Sequence, residues 1–421
     1  MVGPRVCVAT LLIVAASPPA SLRAQQPLSL EDALRQAHAA NAQLPIAAFD
    51  AQIAQARSRE ARGALGPLFA LDGDVHGGTP TAYAAGQGDG RFQVVATQPL
   101  YDGGALRAGV ALARADGRTG SARYRVAEKD LDLQVRTAYA QYLKVASERE
   151  FRRAGVARLR TYLTSIEARR AAGQGVAGDL LKTQVLLGTA QADLADAERR
   201  LEEAGLALND LLGRDPGTPL QLAPLPAPTP PPDTIPDAWA TTPDVLAAVA
   251  GVAAAQAGSA LVSAERRPHF ELALDAGAQP AFGTLGTGLN NGQGWGAELM
   301  LAVHWPVFDL GGYRSRRTQA TLRLQQAGQT EVAARRQARL ALATARAELA
   351  ARYREVDERT RTARAADDSY LTTESMYRGG GATALEVLEA YTTWVDVSEA
   401  ALDAVLSYHV AAAQLIRWGT P

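Results

Sequence analysis

The chain has 421 residues, and its 43 lysines and arginines nearly balance 44 aspartates and glutamates, for a formal net charge of −1. This balance argues against a nucleic-acid-binding protein, which needs a basic surface to meet phosphates. A single cysteine, Cys7, excludes an intrachain disulfide, and a mean hydropathy of −0.11 argues against many membrane-spanning helices. The 38 glycines and 22 prolines are more helix breakers than a chain rich in alanine and leucine should need.

The first 24 residues have the layout of a secretory signal peptide. Arg5 precedes an apolar run from Val6 to Ala16, and Ser17-Pro18-Pro19 ends that run before a stretch of small residues. The run is too short to span a bilayer, and a disordered N-terminus is the alternative interpretation. Cys7 would leave with the signal. No later stretch approaches about 18 uninterrupted apolar residues, so we expect any membrane insertion to use strands.

The rest of the sequence contains two similar halves. Asp102 and Asp309 each follow a proline by three positions and precede a pair of glycines, and they lie 207 positions apart. Asp179 and Glu386, each six positions after a glycine, have the same separation. Matches in one order at one spacing indicate an internal duplication. The halves meet at residues 215–236, where nine prolines in 22 residues exclude a helix.

Each half is predicted to contain a helix, a β-hairpin, a very long helix and a return helix, in that order. In the first half, residues 25–214, the predicted elements are a helix at 30–64, a hairpin at about 68–100, a long helix at 105–171 and a return helix at 179–212. In the second half, residues 237–421, they are a helix at 243–266, a hairpin at about 269–305, a long helix at 313–378 and a return helix at 384–418. Prolines mark the predicted helix–strand junctions, at Pro67, Pro99, Pro268 and Pro306. Asp102 and Asp309 are suited to cap the long helices.

The predicted strands alternate apolar and polar residues with a period of two. In the third strand, for example, Phe270, Leu272 and Leu274 alternate with Glu271 and Asp275. Such strands, about ten residues long, suit either a half-buried soluble sheet or a membrane barrel. Trp295 and Trp305 would lie at opposite ends of one crossing. Four strands cannot close a barrel around a pore, whereas three copies would supply twelve.

The long helices carry seven-residue repeats, which are typical of coiled-coil packing. One row of leucines falls at strict heptad spacing in the first half, at Leu180, Leu187, Leu194, Leu201 and Leu208. A corresponding row in the second half is Leu342, Leu349, Val356, Ala363, Tyr370 and Tyr377. The fold class predicted from the residues is therefore mainly α, with duplicated long helical hairpins and two β-hairpins.

Together these features resemble the TolC-type outer-membrane factor family. The most specific parts of the resemblance are the opening Leu28–Leu34, the two Pro-x-x-Asp passages and the two Gly-x5-[Asp/Glu] turns. The resemblance implies a homotrimer, with a 12-stranded β-barrel in outer-membrane lipid and an α-barrel tunnel in the periplasm. It also implies a channel for efflux or type I secretion that receives cargo from an inner-membrane RND- or ABC-type transporter through a periplasmic adaptor. No enzymatic activity, cofactor, metal or nucleic acid is implied.

The resemblance also assigns a tunnel entrance. The family's acidic entrance positions match Asp179, Glu386 and Glu389, and its gate tyrosine matches Tyr377. Three copies would form rings of carboxylates that hold cations and select what passes. The alternative is that these acids only begin helices, where negative charge suits the helix dipole.

The predicted hairpin tips are the second candidate site. Glycines allow the sharp reversals there, and the resemblance assigns adaptor contacts to Gly173, Gly175, Gly379, Gly380 and Gly381. Some family members carry an arginine two positions after the second tip glycine, where it holds the gate shut. This chain has Ala382 instead, so the latch is absent or is supplied elsewhere, with Arg378 as a possible substitute.

Other functions fit the sequence less well. A periplasmic adaptor would carry one hairpin rather than two, and a structural coiled coil would not need paired ten-residue strands. The run from Gly173 to Gly178 reads G-x-G-x-x-G, but a charged helix precedes it where a nucleotide site needs a strand. The five histidines are scattered, and none pairs with another at metal-ligand spacing.

Overall fold

A computed structural model describes residues 27–77, 88–173, 176–232, 238–278, 281–282 and 295–419. Its helices are α1 (Leu30–Ala40), α2 (Gln43–Gly63), α3 (Ala105–Ala171), α4 (Ala177–Leu211), α5 (Pro243–Ala264), α6 (Gly312–Gly379) and α7 (Ala384–Gly419). Its strands are β1 (Leu68–Gly77), β2 (Gly88–Tyr101), β3 (His269–Ala278), β4 (Ala281–Phe282) and β5 (Trp295–His304). The signal peptide assigned to residues 1–24, Gly175 and the side chain of Trp295 lie outside the described part.

The predicted helix at 30–64 is wrong in one respect, because it is broken into α1 and α2. The Asn41 side chain accepts hydrogen bonds from the backbone N–H groups of Gln43 at 2.8 Å and Leu44 at 3.2 Å. These bonds satisfy donors that a continuing helix would have paired internally, and they start α2 as a separate helix. At the first tip, α4 begins at Ala177 rather than at the predicted residue 179.

The two long helices have 67 and 68 residues, which corresponds to about 100 Å each at about 1.5 Å per residue. Asp102 caps α3, because its carboxylate accepts hydrogen bonds from the N–H groups of Gly104 at 2.9 Å and of Leu106. Asp309 accepts a hydrogen bond from the N–H of Tyr313 in the same way. The capping role predicted for both aspartates is thus seen in the structure.

The helices form one layer with α3 inside it and α6 at its edge. α3 packs against α2 and α4, and also against α5 and α7. α6 packs against α5, α7 and a short 3-10 helix at Ala238–Thr241. The bundle core includes Tyr162, Tyr370, Tyr391 and Trp394 near the tips, where heptad positions from α3, α6 and α7 meet.

Helix α5 is apolar on average, although Gln256 and Ser259 interrupt its apolar run, and no long uninterrupted run was expected in this chain. Among the described residues it alone has the length and composition needed to span a membrane, with a hydropathy of 1.9 over its most apolar window. Its alanine-rich faces pack between α3 and α6, and small residues let neighbouring helix backbones approach closely. Only 17% of that window is buried in the single chain, so these contacts account for part of the composition.

The strands form one antiparallel sheet in the order β1-β2-β3-β5, and the β2–β3 pairing joins the two halves of the chain. Leu71 pairs with Val94, and Leu274 pairs with Leu299, so these apolar residues share one face. That face is open to the surroundings, with Leu71 77% exposed and Leu299 67% exposed. The polar residues occupy the other face, where Asp275 pairs with Glu298.

Both edges of this sheet are open. Within the described part of the chain, β1 pairs with β2 alone and β5 pairs with β3 alone, while the two-residue β4 pairs with β2. Pro67 and Pro268 directly precede β1 and β3, and Pro306 follows β5. Pro99 lies inside β2, at a register shift that ends the regular pairing.

The proline-rich linker is fixed to the helices by tyrosines. The Tyr139 hydroxyl lies 2.8 Å from the carbonyl oxygen of Leu28 and 2.6 Å from that of Ala223. Tyr408 donates to the carbonyl of Thr229 at 3.0 Å and accepts from its N–H at 3.1 Å. An extended segment has backbone groups without internal partners, and these hydroxyls satisfy several of them.

Candidate functional site at the hairpin tips

The second tip is a tight glycine turn. Gly380 ends α6 with a left-handed φ of 82°, and its N–H donates to the carbonyl of Tyr377 at 3.1 Å. The N–H of Gly381 donates to the carbonyl of Met376 at 2.8 Å, which is the pattern of a Schellman motif. At the first tip Gly173 has a φ of 75° and donates to the carbonyl of Arg170 at 2.9 Å. A side chain with a Cβ would be strained at both positive-φ glycines.

Glu386 begins α7 through a capping box with Thr383. Its carboxylate accepts from the Thr383 N–H at 2.6 Å and hydroxyl at 2.9 Å, and the Glu386 N–H donates to the Thr383 hydroxyl at 3.3 Å. The hydrogen bond from the Thr383 backbone, followed by that from its hydroxyl, lowers the pKa of the Glu386 carboxyl. The helix-starting role considered for this residue is therefore present in the structure.

Asp179 is half-buried in the first turn of α4, whereas Glu389 is exposed in the second turn of α7. Glu389 lines a cleft of about 490 Å³ between α4 and α7, together with Leu181 and Val185. Asp179 lies near the buried Tyr162, whose pKa is raised first by burial and then by neighbouring groups that include this carboxylate. The second tip thus has two exposed acidic residues, Glu386 and Glu389, and the first tip has the half-buried Asp179.

Tyr377 is buried rather than exposed at an opening. Its ring packs edge-on against Tyr162 at 5.2 Å, and the guanidinium of Arg169 lies 4.6 Å from the ring centroid. Arg169 also donates to the carbonyl of Tyr377 at 2.7 Å. Since Arg169 is on α3 and Tyr377 is on α6, this contact joins the ends of the two long helices.

Neither of the two positions considered for a latch, Ala382 and Arg378, connects the two hairpins. Ala382 packs against the apolar core of the tip region. Arg378 pairs with Glu374 of its own helix, so it does not link one hairpin to the other. At the tips, Arg169 links the two hairpins. No local sequence pattern reveals this link, because its partner is 208 positions away.

An aromatic cluster with one arginine extends this link toward the middle of the bundle. The guanidinium of Arg158 lies 4.1 Å from the centroid of Trp394 and donates to Asp367 at 2.6 Å. Tyr370 and Tyr391 pack on the same tryptophan, and burial raises the pKa of each to about 12. The hydroxyls therefore stay protonated at physiological pH and act as packing groups.

A buried ionic layer holds α3 to α4 and α7. Glu148 is only 2% exposed and accepts from Lys144 at 2.9 Å and from Arg200 of α4 at 2.7 Å. Lys144 also pairs with Asp403 of α7 at 2.9 Å. Nearby, Arg152 pairs with an acid on each of α4 and α7. These contacts join the three helices by ion pairing. The described residues contain no group of three side chains that could hold a metal ion.

Comparison with known proteins shows which family and which solved structures this chain is similar to. A family profile described as outer membrane efflux protein matches residues 33–214 and 234–418. The outer-membrane channel OprN superposes with a TM-score of 0.81 at 19% identity, over 92% of this chain and 89% of that chain. The outer membrane protein VceC from Vibrio cholerae gives 0.80 at 19% identity, over 93% and 96%. The open state of the Neisseria gonorrhoeae MtrE outer membrane channel gives 0.80 at 22% identity, over 92% and 88%.

These comparisons carry different weight. No curated protein sequence matches the chain. At identities near 20% the structural matches establish the fold, with its long helical hairpins and antiparallel strands. The family profile covers both halves of the sequence and therefore most of the chain. The chain belongs to the outer membrane efflux protein family, and it is an outer-membrane channel that extends into the periplasm.

Proposed function

We propose that three copies of this channel close into one conduit, with a twelve-stranded barrel above an α-helical tunnel. The observation that carries the proposal is the open four-strand sheet, whose edges β1 and β5 lack a second partner among the described strands. Unpaired backbone groups cannot face lipid, so a sheet in a membrane has to close. The apolar face of the sheet is exposed on the single chain, as a lipid-facing surface requires.

The hairpin tips are the proposed docking surface for a periplasmic adaptor. Apolar side chains are exposed beside both glycine turns, at Val176, Leu181 and Leu385. Exposed apolar residues grouped at one end of a molecule are typical of protein interaction sites. The adaptor would connect this channel to an inner-membrane RND- or ABC-type transporter, and the channel would carry the cargo out of the cell.

The proposed tunnel entrance combines carboxylates with a closing contact. The half-buried Asp179 and the exposed Glu389 would lie beside the opening, where three copies would supply six carboxylates. Glu386 contributes by starting α7 at a fixed position. Tyr377 and Arg169 would keep the second hairpin against the first and so favour the closed arrangement.

Single-channel recording in planar bilayers tests the conduit and its entrance together. The purified wild-type protein should conduct in discrete steps, and a protein that never conducts would contradict the conduit. Hexaamminecobalt(III), a trivalent cation, should block from the tip side. The double variant Asp179→Asn/Glu389→Gln should need a cobalt concentration about tenfold higher for the same block, because two of the charges per chain that attract the cation are gone.

The matched control for this test is Glu202→Gln. Glu202 is an exposed carboxylate on α4, more than 20 residues from Asp179 and therefore about 35 Å away along the helix. Its removal should leave the block unchanged. If both proteins conduct and the double variant is blocked as readily as the wild type, the two acids do not line the entrance, although the conduit itself stands.

A further inference from the structure

A basic groove lies on the helix layer far from the tips and close to the sheet. It has a volume of about 900 Å³ and is lined by α2, α3 and α5. Five arginines from α2 and α3 line it: Arg59, Arg62, Arg114, Arg118 and Arg125. No aspartate or glutamate is among the described residues that line the groove. No local sequence pattern indicates this cluster, because its members come from helices that are distant in the sequence.

The lining follows helical spacing on all three helices. On α3, Arg114, Arg118 and Arg125 recur at four and seven positions, which places them on one face. On α5, Leu246 and Ala253 are seven positions apart and form an apolar wall opposite the arginines. The groove therefore has a cationic side and an apolar side along the same length, about 17 Å for the eleven positions from Arg114 to Arg125.

The positive charge of the groove is not neutralised within the chain. None of the five arginines forms an ion pair with another residue of the described part. Arg114 and Arg118 are like charges four positions apart, a spacing that destabilises a helix. The barrel-proximal length of α6, residues 312–347, carries eight arginines against one acid, Glu331, so a neighbouring copy that presents α6 would add positive charge.

α3 forms the floor of the groove, while α2 and α5 flank α3 and form its walls. The floor is low between the arginines, because Gly117, Ser121 and Ala122 of α3 are small. In a ring of helices built from three copies, we place this groove on the side that faces the centre. That placement rests on the proposed trimer, whereas the groove itself is complete in one chain.

We propose that this groove binds amphipathic organic anions, meaning sulfonates or carboxylates that carry an apolar body. An arginine side chain can pair with such an acid group through two parallel hydrogen bonds. This paired geometry makes arginine well suited to bind carboxylates and sulfonates. The α5 wall accommodates the apolar body. Placed in a tunnel, the groove favours anionic amphipathic cargo over cationic cargo at the step just before the barrel.

Equilibrium dialysis with naphthalene-2-sulfonate tests the site. The full-length channel in phosphatidylcholine nanodiscs should bind the probe saturably, with empty nanodiscs as the blank. Arg114→Gln/Arg118→Gln should weaken binding at least about tenfold, and 0.5 M NaCl should weaken it as well. Neutral 2-naphthylmethanol and small methanesulfonate should compete poorly, since each satisfies only one side of the groove.

The control variant is Arg160→Gln/Arg170→Gln, which removes the same charge from exposed arginines of the same helix outside the groove. It should bind the probe as the wild type does. The proposal would be overturned if the two double variants bound the probe equally well. It would also be overturned if methanesulfonate competed as well as unlabelled naphthalene-2-sulfonate does. The oligomeric mass of each preparation is recorded as well, because the site lies within one chain and its binding does not depend on whether the trimer forms.

Discussion

The two long helices α3 and α6 come from corresponding places in the duplicated sequence, but they occupy different places in the fold. α3 is covered by neighbours on both sides, whereas α6 is covered on one side and ends the layer. On α6, Leu322 is 58% exposed and Leu340 is 66% exposed. The two halves of a duplicated sequence can thus give one interior helix and one edge helix. The edge helix carries apolar residues that a single chain does not bury.

The geometry of α6 shows that these leucines face away from the core. Leu340 lies two positions from the buried Ala338 and Leu342, about 200° around the helix from each. Leu322 is two positions from the buried Ala320 and 18 positions from Leu340, which is five full turns. Both leucines therefore lie on one face, opposite the face that packs on α5 and α7.

The largest expected effect comes from placing charge on this edge. Leu322→Asp/Leu340→Asp should abolish assembly while leaving the helical content of the chain intact, because charges would be desolvated in the interface but stay hydrated on a free chain. Size-exclusion chromatography with light scattering in detergent should report a monomer. The conservative pair Leu322→Met/Leu340→Met should keep the wild-type mass. An unchanged mass for the aspartate variant would show that this face of α6 is not an interface.

A substitution in the interior helix α3 should lower the stability of the fold instead of preventing assembly. Glu148→Ala leaves Lys144 and Arg200 without their buried acceptor, although Lys144 keeps Asp403 and Arg200 keeps Asp196. We expect a loss of about 1–3 kcal/mol in the free energy of unfolding, visible as a lower midpoint of thermal unfolding. Glu150→Ala, two positions away at an exposed ion pair, should change it by less than about 1 kcal/mol. Equal shifts for both variants would argue against a buried ionic layer.

The contact between the ends of α3 and α6 should govern closure. Arg169→Gln removes a hydrogen bond to the Tyr377 carbonyl and the cation–π contact with its ring. Losing both should shift the balance from closed to open by about tenfold, seen as a higher open probability in single-channel records. Arg170→Gln, at the exposed neighbouring arginine, should behave like the wild type. A closed Arg169→Gln channel would mean that the link has no part in gating.

The smallest expected effect is a pH dependence at the second tip that the first tip should lack. Glu386 has a lowered pKa in the folded chain, so its contribution is present above the ordinary carboxyl pKa and is lost as the pH falls through the lowered value. Hydrogen exchange at the Thr383 amide should accelerate below about pH 4.5 relative to its intrinsic rate. Glu386→Gln retains a capping-box acceptor and should remove this pH dependence. The first tip has no such side-chain cap at Val176 and should show no matching change.

Local patterns predicted the parts of the fold that depend on local spacing. The period-two strands separate apolar from acidic faces as expected, and Asp102 and Asp309 cap the long helices. The break at Asn41 was missed, although its signal was present, since asparagine favours helix starts and Pro45 follows within the first turn.

The remaining features depend on residues that are far apart in the sequence. The pairing of β2 with β3 joins the two halves, and no period within either strand specifies its partner. At the tips, no local pattern indicates that Tyr377 is covered, because Arg169 belongs to the other long helix. The basic groove draws on three helices, and its charge is visible only when they are packed together.

A single chain leaves an open edge on both the sheet and the helix layer, and we infer that both edges are closed by neighbouring copies of the chain in an oligomer. Native mass spectrometry of the wild-type protein, released from detergent, tests this most directly. The account predicts a single assembly with three times the mass of the mature chain. A folded monomer, or a dimer with the same helical content, would contradict it.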